Sequence, residues 1–225
     1  MLPISATARV GLIGDVHGED AFLEAALGYF VEREASLVLC TGDIPDGYGS
    51  VARSCELLRD RGVMAVRGNH ERWFLTGAMR DLPDATPLDA VPLREREYLA
   101  ALPPVREFST PLGGLLLCHG LGMNDMAKVG PDDEGYALVT NDELRSLMRD
   151  PRYELVVNGH THKPMVRHFE GLTIVNAGTL RRDSDPGFLL LDFGRGVVDM
   201  LRWSDARVIV PRRTESIGRD AAMRP

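Results

Sequence analysis

Residues 9–18 read RVGLIGDVHG, an apolar run that ends in glycine and is followed by an aspartate and a histidine. The run predicts a short, buried β-strand, and the segments after it alternate between helical and strand periodicity. Three strand segments and two helical segments occur in the order 9–14, 20–34, 36–40, 50–60 and 63–66. This βαβαβ order implies parallel strands joined by right-handed crossovers.

Polar residues follow each of these three strands. Asp15 comes after the first strand, Asp43 after the second and Asn69 after the third. In open parallel sheets, functional groups gather beyond the carboxyl ends of the strands, so we expect these three side chains to converge. Residues two apart in an extended chain point the same way, so Asp15 and His17 should present two ligands on one side.

Five of the six histidines lie in four short motifs, each at the end of a predicted strand: GDVHG, GNHE, CHG and GHTH. Together with the aspartates and the asparagine they provide the nitrogen and oxygen ligands that two adjacent divalent cations require. An isolated Asp-x-His or Gly-Asp is more often a turn or a helix cap. Five ordered blocks instead predict a two-metal centre, and such centres are well suited to phosphate-ester hydrolysis.

The remaining periodicity completes an α/β pattern. Residues 187–210 contain three strand-like segments separated by turn signals and predict antiparallel sheet. Residues 142–149 predict a helix that opens with a capping box formed by Thr140 and Glu143. Glycine flanks almost every motif and is expected to supply positive-φ turns and close backbone approach, at positions 14, 18, 42, 68, 120 and 159.

These motifs resemble the pattern of the calcineurin-like metallophosphoesterases, which is DxH, GD, GNH, a single H and GHxH in that order. All five blocks are present between Asp15 and His162. The resemblance implies a four-layer αββα sandwich, with two mixed β-sheets flanked by helices and a metal site at the carboxyl ends of the strands. It also implies two metal ions that share Asp43, one held by Asp15, His17, Asp43 and His162 and the other by Asp43, Asn69, His119 and His160.

The resemblance further implies a mechanism. A hydroxide that bridges the two ions would attack phosphorus, and His70 would act as the general acid that protonates the leaving group. Asp46 matches the aspartate that partners this histidine in Ser/Thr phosphatases, although Pro45-Asp46-Gly47 would also make an ordinary turn. Mixed imidazole and carboxylate ligands accept several metals; manganese is our first expectation, and iron, zinc and nickel are the alternatives.

Recognition of the substrate is less clearly encoded. Asn69, His70 and Arg181 are the candidate contacts to the phosphate ester, and Gly47 stands where related phosphatases carry an arginine after the dyad aspartate. Two irregular segments, 81–93 and 120–139, are expected to set specificity. The prediction is a phosphomonoesterase or phosphodiesterase, with a phosphoprotein or a nucleotide as candidate substrates. The alternatives are a dinucleoside polyphosphate hydrolase and a metal-binding interaction scaffold without turnover.

Composition limits the remaining possibilities. The chain has 225 residues and a formal net charge of −7, which disfavours a dedicated nucleic-acid surface. We expect one domain over residues 1–210 and a polar C-terminal tail over 211–225. Three cysteines without CxxC spacing, and the lack of a signal-like or membrane-spanning run, are typical of a cytoplasmic protein with no membrane partner. Oligomeric state stays open.

Two further residues have ordinary structural interpretations. Cys118 precedes His119 and should therefore face the opposite side of its strand, into the core. His168 is expected to lie on the surface of a strand, outside the metal centre.

Overall fold

Strands and helices alternate through most of the chain. The computed structural model describes residues 1–218. The strands are β1 Leu2–Pro3, β2 Arg9–Ile13, β3 Leu37–Cys40, β4 Met64–Ala65, β5 Val105–Thr110, β6 Gly113–Cys118, β7 Leu155–Asn158, β8 Met165–Phe169, β9 Leu172–Asn176, β10 Gly187–Asp192, β11 Val197–Trp203 and β12 Ile209–Ser216. The helices are α1 Asp20–Glu32, α2 Val51–Asp60, α3 Asn69–Thr76, α4 Leu93–Ala101, α5 Tyr136–Val139 and α6 Asp142–Arg149.

The strands within residues 1–218 form two mixed sheets of six strands each. One sheet has the order β12-β11-β10-β2-β3-β4, and the other has the order β1-β5-β6-β7-β9-β8. Strands β2, β3 and β4 are parallel neighbours, which confirms the predicted βαβαβ unit. Strands β10, β11 and β12 are antiparallel, as predicted from the turn signals.

Alternation along the strands gives each sheet two buried faces. In β2, Val10 and Leu12 pack between the two sheets, whereas Ile13 packs against the helices on the outer side. In β6, Leu117 faces the space between the sheets and Leu116 faces α6. Three apolar clusters therefore separate four layers, and the predicted αββα sandwich is confirmed.

Two local predictions need correction. The cap of α6 is Asn141, whose side chain accepts a hydrogen bond from the Leu144 amide; Thr140 instead donates its hydroxyl to the Tyr136 carbonyl. Asn is at least as good a cap as Thr, so the helix is capped one residue later than predicted and without the reciprocal contact of a capping box. The chain also stays in the sheet through Ser216, beyond the predicted start of the tail, because β12 pairs with β11. Residues 219–225 of that tail lie outside the described residues.

Two irregular regions connect the regular elements. Residues 77–92 contain turns and the short 3₁₀ helix Leu88–Ala90 between α3 and α4. Residues 120–135 follow β6 without a regular helix or strand before the single turn of α5. Among residues 1–218, no helix combines the length and the apolar character that crossing a bilayer requires.

Two glycines on facing elements provide a test of this packing. A Cβ at Gly11 of β2 would lie 2.6 Å from the Phe30 ring of α1, whereas a Cβ at Gly28 of α1 meets no atom within 4 Å. We expect Gly11→Ala to lower the free energy of unfolding by about 1–3 kcal/mol through overpacking. Gly28→Ala should raise it by about 0.5–1 kcal/mol because alanine favours the helix.

Chemical denaturation of the two variants and the wild type measures both changes. A Gly11→Ala protein as stable as Gly28→Ala would show that the interface between β2 and α1 is looser than described.

Candidate metal centre

The ends of strands from both sheets meet at one place. Asp15 and His17 follow β2, Asp43 follows β3, and Asn69 begins α3 just after β4. From the other sheet, His119 follows β6, and the loop after β7 supplies His160 and His162. Because β6 and β7 are parallel neighbours, their carboxyl ends lie side by side. The sandwich therefore brings together all seven residues that the sequence predicts as ligands.

One group of ligand atoms surrounds His17. Atoms of His17, Asp43 and His70 lie within 4.8 Å of one another. The Nε2 atoms of His17 and His162 are 3.1 Å apart, and His162 Nε2 lies 3.4 Å from Asp15 Oδ2. The four residues predicted for the first ion thus face a common point.

A second group surrounds His119. Atoms of Asp43, His119 and His160 lie within 4.8 Å of one another. Asn69 Oδ1 is 2.9 Å from His119 Nε2 and 3.0 Å from His160 Nδ1. Since Asp43 belongs to both groups, its carboxylate occupies the position expected of a shared ligand.

Several observations fit divalent cations at this centre. Asp15 Oδ2 is buried and has no hydrogen-bond partner within the described chain, which is costly for a carboxylate oxygen unless a cation binds it. His17 Nδ1 lies 2.7 Å from the Asp46 carbonyl and His119 Nδ1 lies 2.8 Å from the Thr41 carbonyl. Each ring therefore donates from Nδ1 and keeps the lone pair of Nε2 for the centre, an arrangement typical of metal-binding histidines.

Electrostatics favour neutral imidazoles at two of these positions. Burial lowers the pKa of His17 to about 3 and the pKa of His160 to about 4. Burial also raises the pKa of the Asp15 carboxyl. Burial opposes ionisation of Asp43 as well, but the contact between the Asp43 and His119 side chains lowers the pKa of Asp43 and raises the pKa of His119 to about 10. A cation between them would replace the shared proton and leave His119 neutral.

The backbone at the centre is strained. Positive φ angles occur at His17, Asp43, Asp46, His160 and His162. A non-glycine residue in this region costs on the order of 1–3 kcal/mol, and such strain persists only where the surrounding structure fixes it. The prediction that glycine supplies the positive-φ turns is correct for Gly18 and Gly42, whereas at other turns the candidate ligands carry the strain themselves.

The remaining motif glycines are needed for close approach. A Cβ at Gly159 would overlap Asp15 Oδ1 and the Thr41 hydroxyl, and a Cβ at Gly68 would lie 2.7 Å from His119 Nδ1. These positions lack a side chain because candidate ligands from neighbouring loops occupy that space.

Glu71 connects two of the ligand loops and was not singled out from the sequence. Its buried carboxylate accepts hydrogen bonds from the backbone amides of Asp43, Ile44 and Gly68, at 3.0, 2.6 and 2.6 Å. Burial and the nearby charge of Asp43 raise the pKa of Glu71 to about 7, although the hydrogen bonds from the backbone amides lower it by favouring the carboxylate anion. Cations beside Asp43 would offset its charge and favour ionised Glu71.

The predicted acid and its partner are in contact. His70 Nδ1 lies 2.8 Å from Asp46 Oδ2; the His70 side chain is 14% exposed and Asp46 is fully buried. Burial opposes protonation of His70, but the hydrogen bond to Asp46 raises the pKa of His70 above its ordinary value. Burial opposes ionisation of Asp46, but hydrogen bonds from His70 and Arg80 lower the pKa of Asp46 to about 2.

Position 47 has no room for a side chain. A Cβ at Gly47 would overlap the His17 carbonyl oxygen, so the arginine of related phosphatases could not fit here. Arg181, the predicted substrate contact, is 17% exposed and is paired with Asp84 and Asp183 at 2.7 Å each. Its guanidinium also lies 5.7 Å from the centre of the Tyr48 ring.

The other two structural predictions are confirmed. Cys118 is fully buried in the cluster against α6, while the adjacent His119 points to the metal centre. His168 is exposed on β8 and contacts Thr173.

Comparison with known proteins agrees with this geometry. The sequence model of the calcineurin-like phosphoesterase superfamily domain matches residues 9–196. The chain belongs to this superfamily. It is therefore a metallophosphoesterase domain, and its enzyme class is the metal-dependent phosphoric ester hydrolases.

Individual relatives are distant. An uncharacterized protein of Methanocaldococcus jannaschii, MJ0912, is 24% identical over 191 residues, which are 81% of this chain and 74% of the relative. Hypothetical protein PH1004 of Pyrococcus horikoshii superposes with a TM-score of 0.66 at 16% identity, over 96% of this chain and 90% of the other. A metallophosphoesterase of Sphaerobacter thermophilus superposes with a TM-score of 0.61 at 20% identity, over 93% and 88%. At these identities the superpositions establish the fold.

The role of Glu71 can be tested by one isosteric change. In Glu71→Gln an amide NH₂ replaces an oxygen that accepts backbone N–H groups, which should cost about 1–3 kcal/mol of unfolding free energy. Because the loops of Asp43 and Asn69 both lose their anchor, metal affinity should fall by about 10–100-fold. Glu95→Gln is the control, because Glu95 is also buried but pairs with Arg59.

Thermal denaturation and metal titration by calorimetry measure both quantities. Equal metal affinity in Glu71→Gln and Glu95→Gln would contradict the anchoring role.

Proposed function

We propose that this protein hydrolyses phosphomonoesters or phosphodiesters with two divalent metal ions, manganese first among them. The observation that carries the proposal is the position of Asp43, which belongs to both groups of candidate ligands. One ion would be held by Asp15, His17, Asp43 and His162, and the other by Asp43, Asn69, His119 and His160.

Two dications outweigh the two carboxylates of Asp15 and Asp43, so the centre would attract an anionic phosphate ester. When bound, the ions supply Lewis acidity to the phosphate oxygens and make hydroxide available near neutral pH. The chain's own contribution is to orient the ligands. The carbonyls of Asp46 and Thr41 fix the rings of His17 and His119, and Glu71 fixes the loop of Asp43.

His70 is the proposed general acid. Its Nδ1 is engaged by Asp46, while its Nε2 lies 3.9 Å from Asp43 Oδ2 and therefore points towards the centre. A proton on Nε2 can pass to the oxygen of the departing alcohol, and Asp46 stabilises the imidazolium before that transfer. This dyad favours an enzyme over a metal-binding scaffold without turnover, because ligation alone does not require it.

Asn69 and His70 are the proposed contacts to the substrate, since Asn69 adjoins His119 and His160 and His70 adjoins Asp43. A contact of Arg181 with substrate would require that it share its charge with Asp84 and Asp183. The three cysteines are buried and unpaired, which supports a reducing compartment, and we propose the cytoplasm.

The primary test is hydrolysis of aryl phosphate mono- and diesters together with metal analysis. Asp43→Asn should lower activity by more than about 100-fold on every substrate and reduce the bound metal, because it weakens a ligand of both ions. Asp192→Asn is the control, a buried carboxylate that pairs with Arg9 at the opposite end of β2 from Asp15. Full activity and full metal content in Asp43→Asn would rule out the shared-ligand centre.

His70→Asn should separate substrates by leaving group. We expect a loss of about 100-fold on phenyl phosphate and a much smaller loss on 4-nitrophenyl phosphate, since a good leaving group departs without a proton. Equal losses on both substrates would remove His70 as the acid.

A panel of substrates would then narrow the class. Phosphopeptides, nucleotides and diadenosine tetraphosphate should be compared by kcat/KM. Selective hydrolysis of diadenosine tetraphosphate would favour the alternative function, a dinucleoside polyphosphate hydrolase, over a phosphomonoesterase or phosphodiesterase.

A further inference from the structure

The segment between α3 and α4 is fastened to Asp46. Arg80 donates to both oxygens of this carboxylate, at 2.9 Å from Nη1 to Oδ1 and 2.8 Å from Nη2 to Oδ2. The Thr86 amide donates to Oδ1 at 2.8 Å, and the Asp46 amide donates to the Thr86 hydroxyl at 2.9 Å. Residues 81–93 are predicted to set specificity, yet Thr86 of this segment binds Asp46, the partner of the proposed acid.

These contacts define the orientation of the carboxylate completely. Oδ1 accepts from Arg80 and Thr86, and Oδ2 accepts from Arg80 and His70. A planar guanidinium that binds both oxygens fixes the plane of the carboxylate, which a single donor cannot do. Arg80 is itself held, because its Nε donates to the Ala78 carbonyl at 2.7 Å.

We propose that Arg80 is a positioning residue for the reaction: it fixes Asp46 so that Asp46 holds the His70 ring with Nε2 directed at the leaving group. This inference rests on the proposed function. Arg80 does not touch the substrate in this arrangement; it acts through Asp46. Thr86 is the second anchor, and its backbone amide serves the same carboxylate.

A purely structural ion pair is the alternative, and the chain offers a matched control for it. The Arg80 side chain is 25% exposed and Asp46 is fully buried. The Arg59 side chain is 24% exposed, and its partner Glu95 is 6% exposed. Arg59 and Glu95 join α2 to α4 and contact no member of the metal centre, so Arg59→Gln reproduces the loss of a half-buried ion pair alone.

The kinetic test compares leaving groups. Arg80→Gln should lower kcat on phenyl phosphate about tenfold and on 4-nitrophenyl phosphate less than about threefold, part of the roughly 100-fold to 10,000-fold that a general acid supplies. If the protein prefers diesters, diphenyl and bis(4-nitrophenyl) phosphate take their place. Arg59→Gln should change both rates equally. The proposal is overturned if Arg80→Gln also affects both leaving groups equally.

The double variant provides an independent criterion. If Arg80 acts only through Asp46, then Arg80→Gln should add no further loss on phenyl phosphate in an Asp46→Asn background. Losses that multiply would show that Arg80 acts by another route. Should Arg80→Gln fail to fold, Arg80→Lys keeps the charge but not the two-oxygen contact, and it should show the same selective loss to a smaller extent.

A spectroscopic readout separates this inference from the proposed function. In protein loaded with diamagnetic Zn²⁺, the Nδ1 proton of His70 should give a low-field proton NMR signal, assigned by its loss in His70→Asn. The signal should broaden or disappear in Arg80→Gln and persist in Arg59→Gln, whether or not any phosphate ester is hydrolysed. An unchanged signal in Arg80→Gln would overturn the positioning role even in an active enzyme.

Discussion

The contact between Asp43 and His119 joins the functional ends of the two sheets. Asp43 follows β3 of one sheet and lies 3.2 Å from Nε2 of His119, which follows β6 of the other. The distance between these strand ends is set by the apolar layer between the sheets, where Leu39 and Leu117 pack. Each ligand group takes residues from both sheets, so a shift of one sheet would pull both groups apart, and the geometry of the centre therefore depends on core packing.

This construction has an energetic cost that cations can offset. Asp15 and Asp43 are buried close together, and Asp15 Oδ2 has no donor within the described chain. Buried carboxylates without a counter-charge are strongly unfavourable, and the positive φ angles around them add strain. A metal ion that binds the folded chain but not the unfolded chain stabilises the fold by mass action. Folding and metal binding would therefore be linked.

The sequence predicts the scaffold and the candidate ligands because both leave local signals. Strand periodicity locates the ends at which Asp15, Asp43 and His119 emerge, and parallel topology then brings these ends together. Glu71 has a weaker signal, since only its place in the Gly-Asn-His-Glu block distinguishes it from a surface glutamate. Arg80 has none, because it lies 34 positions from Asp46 in an irregular segment and its contact depends on the path of that segment. The prediction of Thr140 as the cap of α6 failed for a different reason. Thr140 and Asn141 are adjacent and both are good caps, so only the backbone conformation shows that Asn141 is the cap.

One turn of the chain accounts both for the absence of a side chain at Gly47 and for the contact of Arg80 with Asp46. The turn after Asp43 passes so close to the His17 carbonyl that position 47 admits only glycine, and the same turn lets the Asp46 carbonyl hold the His17 ring. Because this turn must pass close to His17 to hold its ring, position 47 cannot carry a cationic side chain. The cation beside Asp46 comes instead from Arg80, and both of its terminal nitrogens are occupied by that carboxylate. Its charge is used to hold Asp46, so under the proposed function the attraction for phosphate would come mainly from bound ions.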